Sequence, residues 1–176
     1  MYFWRKFDLV GIVLQIMGSC SPPFYYSFYC DEDKHLFWRY AGFAWTVCLI
    51  AGASVLMPLG LRGKSKHYLC ALAFLLAGWS TSPGCIHMTY YRNSRTMFDC
   101  SFMCWLVGGL LYSIGAIIYA VKFPERCSKG CFDIIGSSHQ IFHLSIFMAA
   151  AVHFYASINE YHMRQITHCP LSLESI

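Results

Sequence analysis

The sequence predicts an all-α membrane protein with five transmembrane helices. Of its 176 residues, 57% are hydrophobic and 18% aromatic, while only 12% are charged; soluble domains carry roughly 25% charged residues. Mean hydropathy is +0.44. Disordered chains are rich in charge and poor in aromatic residues, so this composition excludes disorder. The 13 Lys and Arg barely exceed the 9 Asp and Glu, and no basic tract occurs, so the sequence offers no surface for nucleic acid.

Five stretches without Asp, Glu, Lys or Arg define the predicted spans. A helix needs about 20 apolar residues to cross a bilayer, and each stretch is at least that long. Strands of a barrel would alternate over about ten residues, whereas these stretches are apolar on every side. We assign residues 1–176 to one transmembrane domain. Its predicted spans are Leu9–Cys30, Tyr40–Leu61, Tyr68–Tyr91, Ser101–Val121 and Ile134–Asn159.

The first span follows Arg5 and Lys6, a pattern that also begins a secretory signal peptide. Its apolar run is too long for such a peptide, and no cleavage site of small residues follows the prolines, so we predict a span. Pro22 and Pro23 should kink this helix or end its regular part.

Small residues predict a packing surface on the fourth span. Gly108 and Gly109, with Gly115 further on, give the fourth span a surface suited to close helix contact.

Most of the ten cysteines lie inside apolar runs, which excludes a small secreted module held by disulfides.

The distribution of Lys and Arg predicts the orientation of the bundle. Short connections make consecutive spans antiparallel neighbours. The N-terminal end and the second and fourth connections therefore share one side, which carries eight of the 13 Lys and Arg. Because positive residues favour the cytosolic side, we predict a cytosolic N-terminus and an external C-terminus.

Three ionisable residues near the ends of spans are candidates for chemistry, because such groups are costly in a membrane. His139 and His143 are four residues apart in the last span, so their rings are about 40° apart on one helix face and about 6 Å apart in height. The first and last spans enter from the same side, which brings Asp8 into the same leaflet. We therefore predict that His139 and His143 bind one metal ion and that Asp8 converges with them, although two protein ligands are too few for a stable zinc site, which takes three and a water when catalytic.

A metal-dependent hydrolase also needs a general base. A zinc protease helix places Glu beside its first metal-binding His, but Gln140 occupies that position here. Asp8 is the preferred carboxylate for this role, and Asp133 is the second choice. The alternative is that His139 and His143 are interfacial polar groups that bond to neighbouring helices.

Three other histidines fit this site less well. His153 lies about 21 Å deeper than His139 along the helix and is predicted to contact another helix. His87 is near the outer end of the third span, in the other leaflet. His67 lies on the cytosolic side, where it either approaches the site or faces solvent.

Two longer motifs occur near the two ends of the sequence. The first comprises Asp8, Gly11-Ile12, Met17-Gly18-Ser19, Pro22 and Tyr25-Tyr26-Ser27-Phe28-Tyr29-Cys30. The second comprises Phe123-Pro124-Glu125-Arg126, Gly130, Phe132-Asp133-Ile134 and Ser138-His139-Gln140-Ile141-Phe142-His143. They resemble the third and the seventh helix, respectively, of the progestin and adipoQ receptor family, which includes haemolysin III-like proteins. The resemblance covers nearly the whole chain, and the adiponectin receptor branch fits best.

The resemblance implies a seven-helix protein with a cytosolic N-terminus, of which the five spans correspond to helices 3–7. It implies zinc in the cytosolic leaflet, held by three histidines, two of which match His139 and His143. An aspartate that matches Asp8 reaches the zinc through a water. The third histidine belongs to a helix that these five spans lack, and no residue here replaces it by alignment.

The predicted function is that of a multi-pass receptor of the adiponectin or progestin receptor type, with a zinc site and a link to lipid signalling and metabolism. One alternative is a zinc-dependent amide hydrolase acting on ceramide-type lipids, in which Asp8 orients or deprotonates the water. Another is a non-catalytic scaffold or a truncated, inactive copy. The expected partners are membrane lipid, an extracellular protein or steroid ligand, and a lipid substrate. The plasma membrane is the expected location, with the Golgi and the endoplasmic reticulum as alternatives.

Overall fold

The computed structural model describes residues 2–28, 34–56, 64–91, 100–128, 130–132 and 134–166. Within these ranges the secondary structure is helical, and no strand occurs. The helices are α1 (Tyr2–Ser27), α2 (Lys34–Leu56), α3 (Lys64–Trp79), α4 (Ser82–Tyr91), α5 (Cys100–Val121) and α6 (Ser138–Ile166). They provide five segments long and apolar enough to cross a membrane, because α3 and α4 together form the third. The predicted fold class is therefore confirmed.

The third span differs from the uninterrupted helix that its apolar composition predicts. Regular helix stops at Trp79 and resumes at Ser82. Pro83 has no amide hydrogen, so it cannot donate to the carbonyl one turn before it. At the break, the Ser80 hydroxyl donates to the Ala77 carbonyl at 2.6 Å and the Thr81 hydroxyl to the Gly78 carbonyl at 2.8 Å. Hydroxyl groups thus bond to the Ala77 and Gly78 carbonyls at the break, and the Gly78 oxygen also accepts from the Thr81 amide at 3.3 Å.

The two prolines of the first span do not end its helix, which continues to Ser27. Pro23 is fully buried, and the next residue, Phe24, is 0% exposed. Membrane helices tolerate proline where neighbouring groups support the backbone.

The last helix is displaced along the sequence relative to the predicted span. It begins at Ser138 rather than Ile134, and it continues past Asn159 to Ile166. A stretch without charged residues identifies the part of the chain that can lie in lipid. The ends of the helix are set instead by the groups that cap it, so the two sets of bounds need not agree. Buried Glu160 and half-buried Arg164 extend the helix beyond the charge-free stretch.

The packing of α5 against α6 uses two of the glycines that the sequence singled out. A Cβ atom added at Gly108 would lie 2.1 Å from His153 Nε2, and one at Gly115 would lie 2.7 Å from Ser145 Cβ. Both glycines therefore let the two helices approach closely. A Cβ at Gly109 would meet nothing within 4 Å, so this neighbour is not part of the contact.

The bundle has a buried core and an apolar outer surface. Small residues such as Ala44, Ala77 and Ala149 are 0% exposed between helices. Large apolar side chains, among them Leu49 and Phe147, face outwards. Such side chains suit contact with lipid, as expected for a protein that passes several times through a membrane.

Candidate metal centre

The N-terminus of α6 is held by a reciprocal set of hydrogen bonds. The Gln140 side-chain oxygen accepts from the backbone amides of Gly136 at 2.7 Å and Ser137 at 3.4 Å. In return, the Ser137 hydroxyl accepts from the Gln140 amide at 3.4 Å. This is a capping box, in which residues three apart satisfy each other's free amides. Gln140 is therefore occupied in starting the helix.

A carboxylate from the preceding loop completes the cap. Glu125 Oε1 accepts from the Ser138 amide at 2.8 Å and from the Ser138 hydroxyl at 2.9 Å. Burial alone would raise the pKa of Glu125. Hydrogen bonds from its own amide and from Ser138, together with the charge of Lys122, outweigh that effect and lower the pKa below its ordinary value. Glu125 thus fixes the turn of helix from which the two histidines project.

Asp8, His139 and His143 converge at the end of the bundle where α1 and α6 begin. The Nε2 atoms of the two histidines lie 3.2 Å apart. Asp8 Oδ1 lies 3.1 Å from His143 Nε2, and Asp8 Oδ2 lies 3.4 Å from His139 Nε2. The predicted convergence is therefore present in the structure, and a ligand atom from each residue lies within 4.8 Å of the others.

These distances fit the coordination of a single small cation. Zinc binds imidazole nitrogen and carboxylate oxygen at about 2.0–2.2 Å, so two ligands at tetrahedral positions lie about 3.3 Å from each other. The three separations between Asp8, His139 and His143 span 3.1–3.4 Å. In addition, Asp8 Oδ2 is buried and, apart from its 3.4 Å approach to His139 Nε2, has no hydrogen-bond partner within the described part of the chain. A buried carboxylate oxygen of this kind gains a partner if a cation lies between the three side chains.

The surroundings of the three residues leave one side open. The side chains of His139 and His143 are 48% and 40% exposed, whereas that of Asp8 is 24% exposed. On the buried side, the Tyr119 ring lies 5.8 Å from that of His139 and 5.3 Å from that of Phe142. An ion or a water can therefore reach the site from the end of the bundle, while aromatic rings form its inner wall.

The other residues proposed from the sequence lie elsewhere. His153 is buried against α5, which confirms the predicted helix contact. His87 Nδ1 lies 2.6 Å from the Tyr40 hydroxyl and does not join the cluster. Asp133 and the side chain of His67 fall outside the described residues.

Sequence reasoning did not identify the supporting residues of the site. Glu125 caps α6, and Tyr119 forms part of the inner wall. The capping function of Gln140 was readable, because Ser137 and Gln140 have the spacing of a capping box. No local pattern marks Tyr119, whose position depends on how α5 packs against α6.

An apolar cavity of about 270 Å³ lies inside the bundle, bordered by α1, α3, α4, α5 and α6. This volume is close to the lower end of the range for ligand pockets, about 300–1,000 Å³. Phe142 is part of its wall, and the ring of Phe142 lies 5.9 Å from that of His143. The cavity therefore begins one aromatic side chain away from the candidate metal site.

Comparison with known proteins finds one family and several relatives. The model of the haemolysin III-related family matches residues 1–154. An adiponectin receptor protein of Drosophila melanogaster is 34% identical over 98% of this chain and 39% of its own length. Heptahelical transmembrane protein 5 of Arabidopsis thaliana is 32% identical over 89% of this chain and 41% of its own length. Progestin and adipoQ receptor-like protein 1 of Caenorhabditis elegans is 33% identical over 94% of this chain and 38% of its own length. The chain thus spans about two fifths of the length of these relatives.

Proposed function

The chain belongs to the haemolysin III-related family of multi-pass membrane proteins, and from this membership we propose that it forms part of a receptor-type protein with a zinc site. The ligands in this chain are Asp8, His139 and His143. The single observation that carries the proposal is their convergence, with separations of 3.1–3.4 Å. The names of two relatives include the word receptor, for adiponectin in one and for progestin and adipoQ in the other. We propose a role in lipid signalling and metabolism, as the resemblance of the two sequence motifs implies.

The ligand set favours zinc over the other common divalent cations. Calcium and magnesium prefer oxygen ligands, whereas two of the three atoms here are imidazole nitrogens. Zinc accepts nitrogen and carboxylate oxygen together, and a site with three protein ligands leaves a fourth position for water or substrate. The exposed side of His139 and His143 is where that position would lie.

Metal content tests this proposal directly. The chain is purified in lipid nanodiscs, and zinc per chain is measured by mass spectrometry for the wild type and for His139→Ala, His143→Ala and Asp8→Ala. His162→Ala is the matched control, because His162 is an exposed histidine of the same helix. We expect about one zinc per chain, retained in the control and lost in the other variants. A wild type without zinc, or equal zinc in all variants, would refute the proposal.

The position of the cavity favours a second candidate, a zinc-dependent hydrolase of ceramide-type amides. An apolar chain bound in the cavity would bring its polar end past Phe142 towards His143. Bound zinc supplies a Lewis acid and a water with a lowered pKa. In this second candidate Asp8 would not bind the metal directly: its carboxylate would orient that water and accept its proton, while Tyr119 and Phe142 would exclude bulk solvent from the inner side.

Release of fatty acid from a long-chain amide separates the two candidates. Purified protein in nanodiscs is incubated with a ceramide, and the wild type is compared with Asp8→Asn and with the His162→Ala control. A hydrolase releases fatty acid in the wild type and the control but not in Asp8→Asn. If the protein binds zinc but releases no fatty acid, the result favours a receptor without catalytic activity. In that case His139→Ala should lower only the thermal stability of the protein.

The proposed orientation has the N-terminus in the cytosol and the metal site in the cytosolic leaflet. It is supported by the excess of Lys and Arg on that side. The plasma membrane is the proposed location, with membrane lipid and an external protein or steroid ligand as partners. Antibody access to a tag at the N-terminus, before and after permeabilisation of cells, tests the orientation, since access before permeabilisation contradicts it.

A further inference from the structure

A second group of polar atoms lies inside the bundle, away from the metal site. Trp105 and Tyr112 of α5 and His153 of α6 all form part of the cavity wall. The His153 ring stacks on that of Trp105 at 4.4 Å and lies 5.6 Å from that of Tyr112. Ten residues separate His143 from His153, or about 15 Å along the helix.

Each member of this group carries a buried polar atom that makes no hydrogen bond of good geometry to a described residue. These atoms are Trp105 Nε1, His153 Nδ1 and the Tyr112 hydroxyl, which has the side chains of Gln15 and Ser19 near it. His153 is only 4% exposed and Trp105 8%. Unpaired polar atoms in such an environment each cost about 1–3 kcal/mol. Three such atoms in residues of one cavity wall suggest that a single bound group satisfies all of them.

The local sequence explains how the group is assembled. Trp105, Gly108 and Tyr112 lie on one face of α5, at helical spacings of three and four. Gly108 has no side chain, so the imidazole of His153 fits between the two aromatic residues. A Cβ atom at Gly108 would lie 2.1 Å from His153 Nε2.

The hydrogen-bonding capacities of the three atoms define the group that would satisfy them. His153 Nε2 lies 3.4 Å from the Trp105 carbonyl oxygen, which can only accept. Nε2 therefore carries the hydrogen, and Nδ1 presents a lone pair. Trp105 Nε1 is a donor only, and the Tyr112 hydroxyl can donate. One acceptor and two donors match a hydroxyl, which has one hydrogen and two lone pairs.

We propose that Trp105, Tyr112 and His153 form a subsite that binds the hydroxyl group of a lipid whose apolar chain lies in the cavity. The hydroxyl donates to His153 Nδ1 and accepts from Trp105 and Tyr112. A carboxylate fits less well, because it has no hydrogen for Nδ1. The proposal does not depend on zinc, since none of its residues contacts the metal site.

The test uses dodecanol with a photoreactive diazirine at its alkyl end, bound to the chain in lipid nanodiscs. Labelling is competed with dodecanol or with dodecyl methyl ether, which lacks the hydroxyl hydrogen. Tyr112→Phe removes only the hydroxyl, and the loss of an unpaired polar atom should not unfold the protein. Tyr155→Phe is the matched control, because Tyr155 is an exposed tyrosine on α6. Partitioning into lipid is the same for every variant, so it cancels in the comparison.

We expect dodecanol to compete about fivefold to tenfold better than the ether in the wild type and in Tyr155→Phe. The preference should fall to about twofold or less in Tyr112→Phe and also in Trp105→Phe. The label should attach to residues of the inner wall, such as Ile12 and Phe74. An unchanged preference in both variants, or labelling confined to outward residues such as Leu72 and Phe147, would overturn the proposal. So would equal competition by the two compounds in the wild type, the result expected if water alone satisfies these atoms.

Discussion

Glu125 binds the first turn of α6 through Ser138, whose amide and hydroxyl both donate to Glu125 Oε1, at 2.8 and 2.9 Å. The next residue after Ser138 is His139, the first of the two metal-binding histidines proposed here. The loop between α5 and α6 is therefore joined to the candidate metal site by a charged cap. This relationship makes the position of the histidines depend on a carboxylate that does not contact them.

Removal of the cap should weaken both the fold and the metal site. Glu125→Ala is expected to lower the free energy of unfolding by about 1–2 kcal/mol, because a charge-assisted cap is lost and Ser138 is left without its acceptor. Zinc affinity should fall about tenfold or more, as for other groups that orient metal ligands. Ser128→Ala, an exposed change in the same loop, should alter neither. Thermal unfolding and zinc titration measure the two effects, and unchanged values in Glu125→Ala would contradict the role.

The lowered pKa of Glu125 predicts a pH dependence of known sign. The pKa in the folded protein lies below the unfolded value of about 4.3, so the carboxylate stabilises the fold above that pH. This contribution is lost as the pH falls through the folded pKa. The melting temperature of the wild type should therefore decrease more than that of Glu125→Gln between about pH 5 and pH 3. Parallel curves for the two proteins would show that Glu125 is not the titrating group.

An affinity measurement can distinguish whether Asp8 binds zinc directly or through a water. The resemblance implies contact through a water, whereas separations of 3.1 and 3.4 Å from the two histidine nitrogens also fit a direct ligand. Loss of a group in the second coordination shell typically costs about 10–100-fold in affinity. We therefore expect Asp8→Asn to lose more than about 100-fold if Asp8 is a direct ligand in this chain. Zinc competition titration gives the value, and a smaller loss would favour the water-mediated role.

The sequence was sufficient to predict the fold class and the three residues of the candidate site. Runs without charge identify spans because lipid excludes charge, and a spacing of four places His139 and His143 on one face. The orientation of spans then placed Asp8 at the same end. These inferences rest on periodicity and composition, which are local properties.

What could not be predicted depends on contacts between distant segments. At the break the hydroxyls of Ser80 and Thr81 bond to carbonyls of the preceding turn, and the first turn of α6 at Ser138 is capped by Glu125 from the preceding loop. Likewise, the sequence presented His153 as a helix contact but did not show the unpaired Nδ1 atom beside a cavity. A single sequence does not specify which buried polar atoms remain without partners.

The two adjacent glycines of α5 provide a test of the contact that places His153. Gly108→Ala should destabilise the protein by about 1–3 kcal/mol, because its Cβ atom would lie 2.1 Å from His153 Nε2 and the ring would have to move. Gly109→Ala is the internal control, since a Cβ atom there meets nothing within 4 Å and alanine favours helix. Unfolding in detergent, followed by circular dichroism, measures both variants. Equal stability of the two would show that Gly108 does not hold α5 close to His153, and the subsite proposed for a lipid hydroxyl would lose its geometric basis.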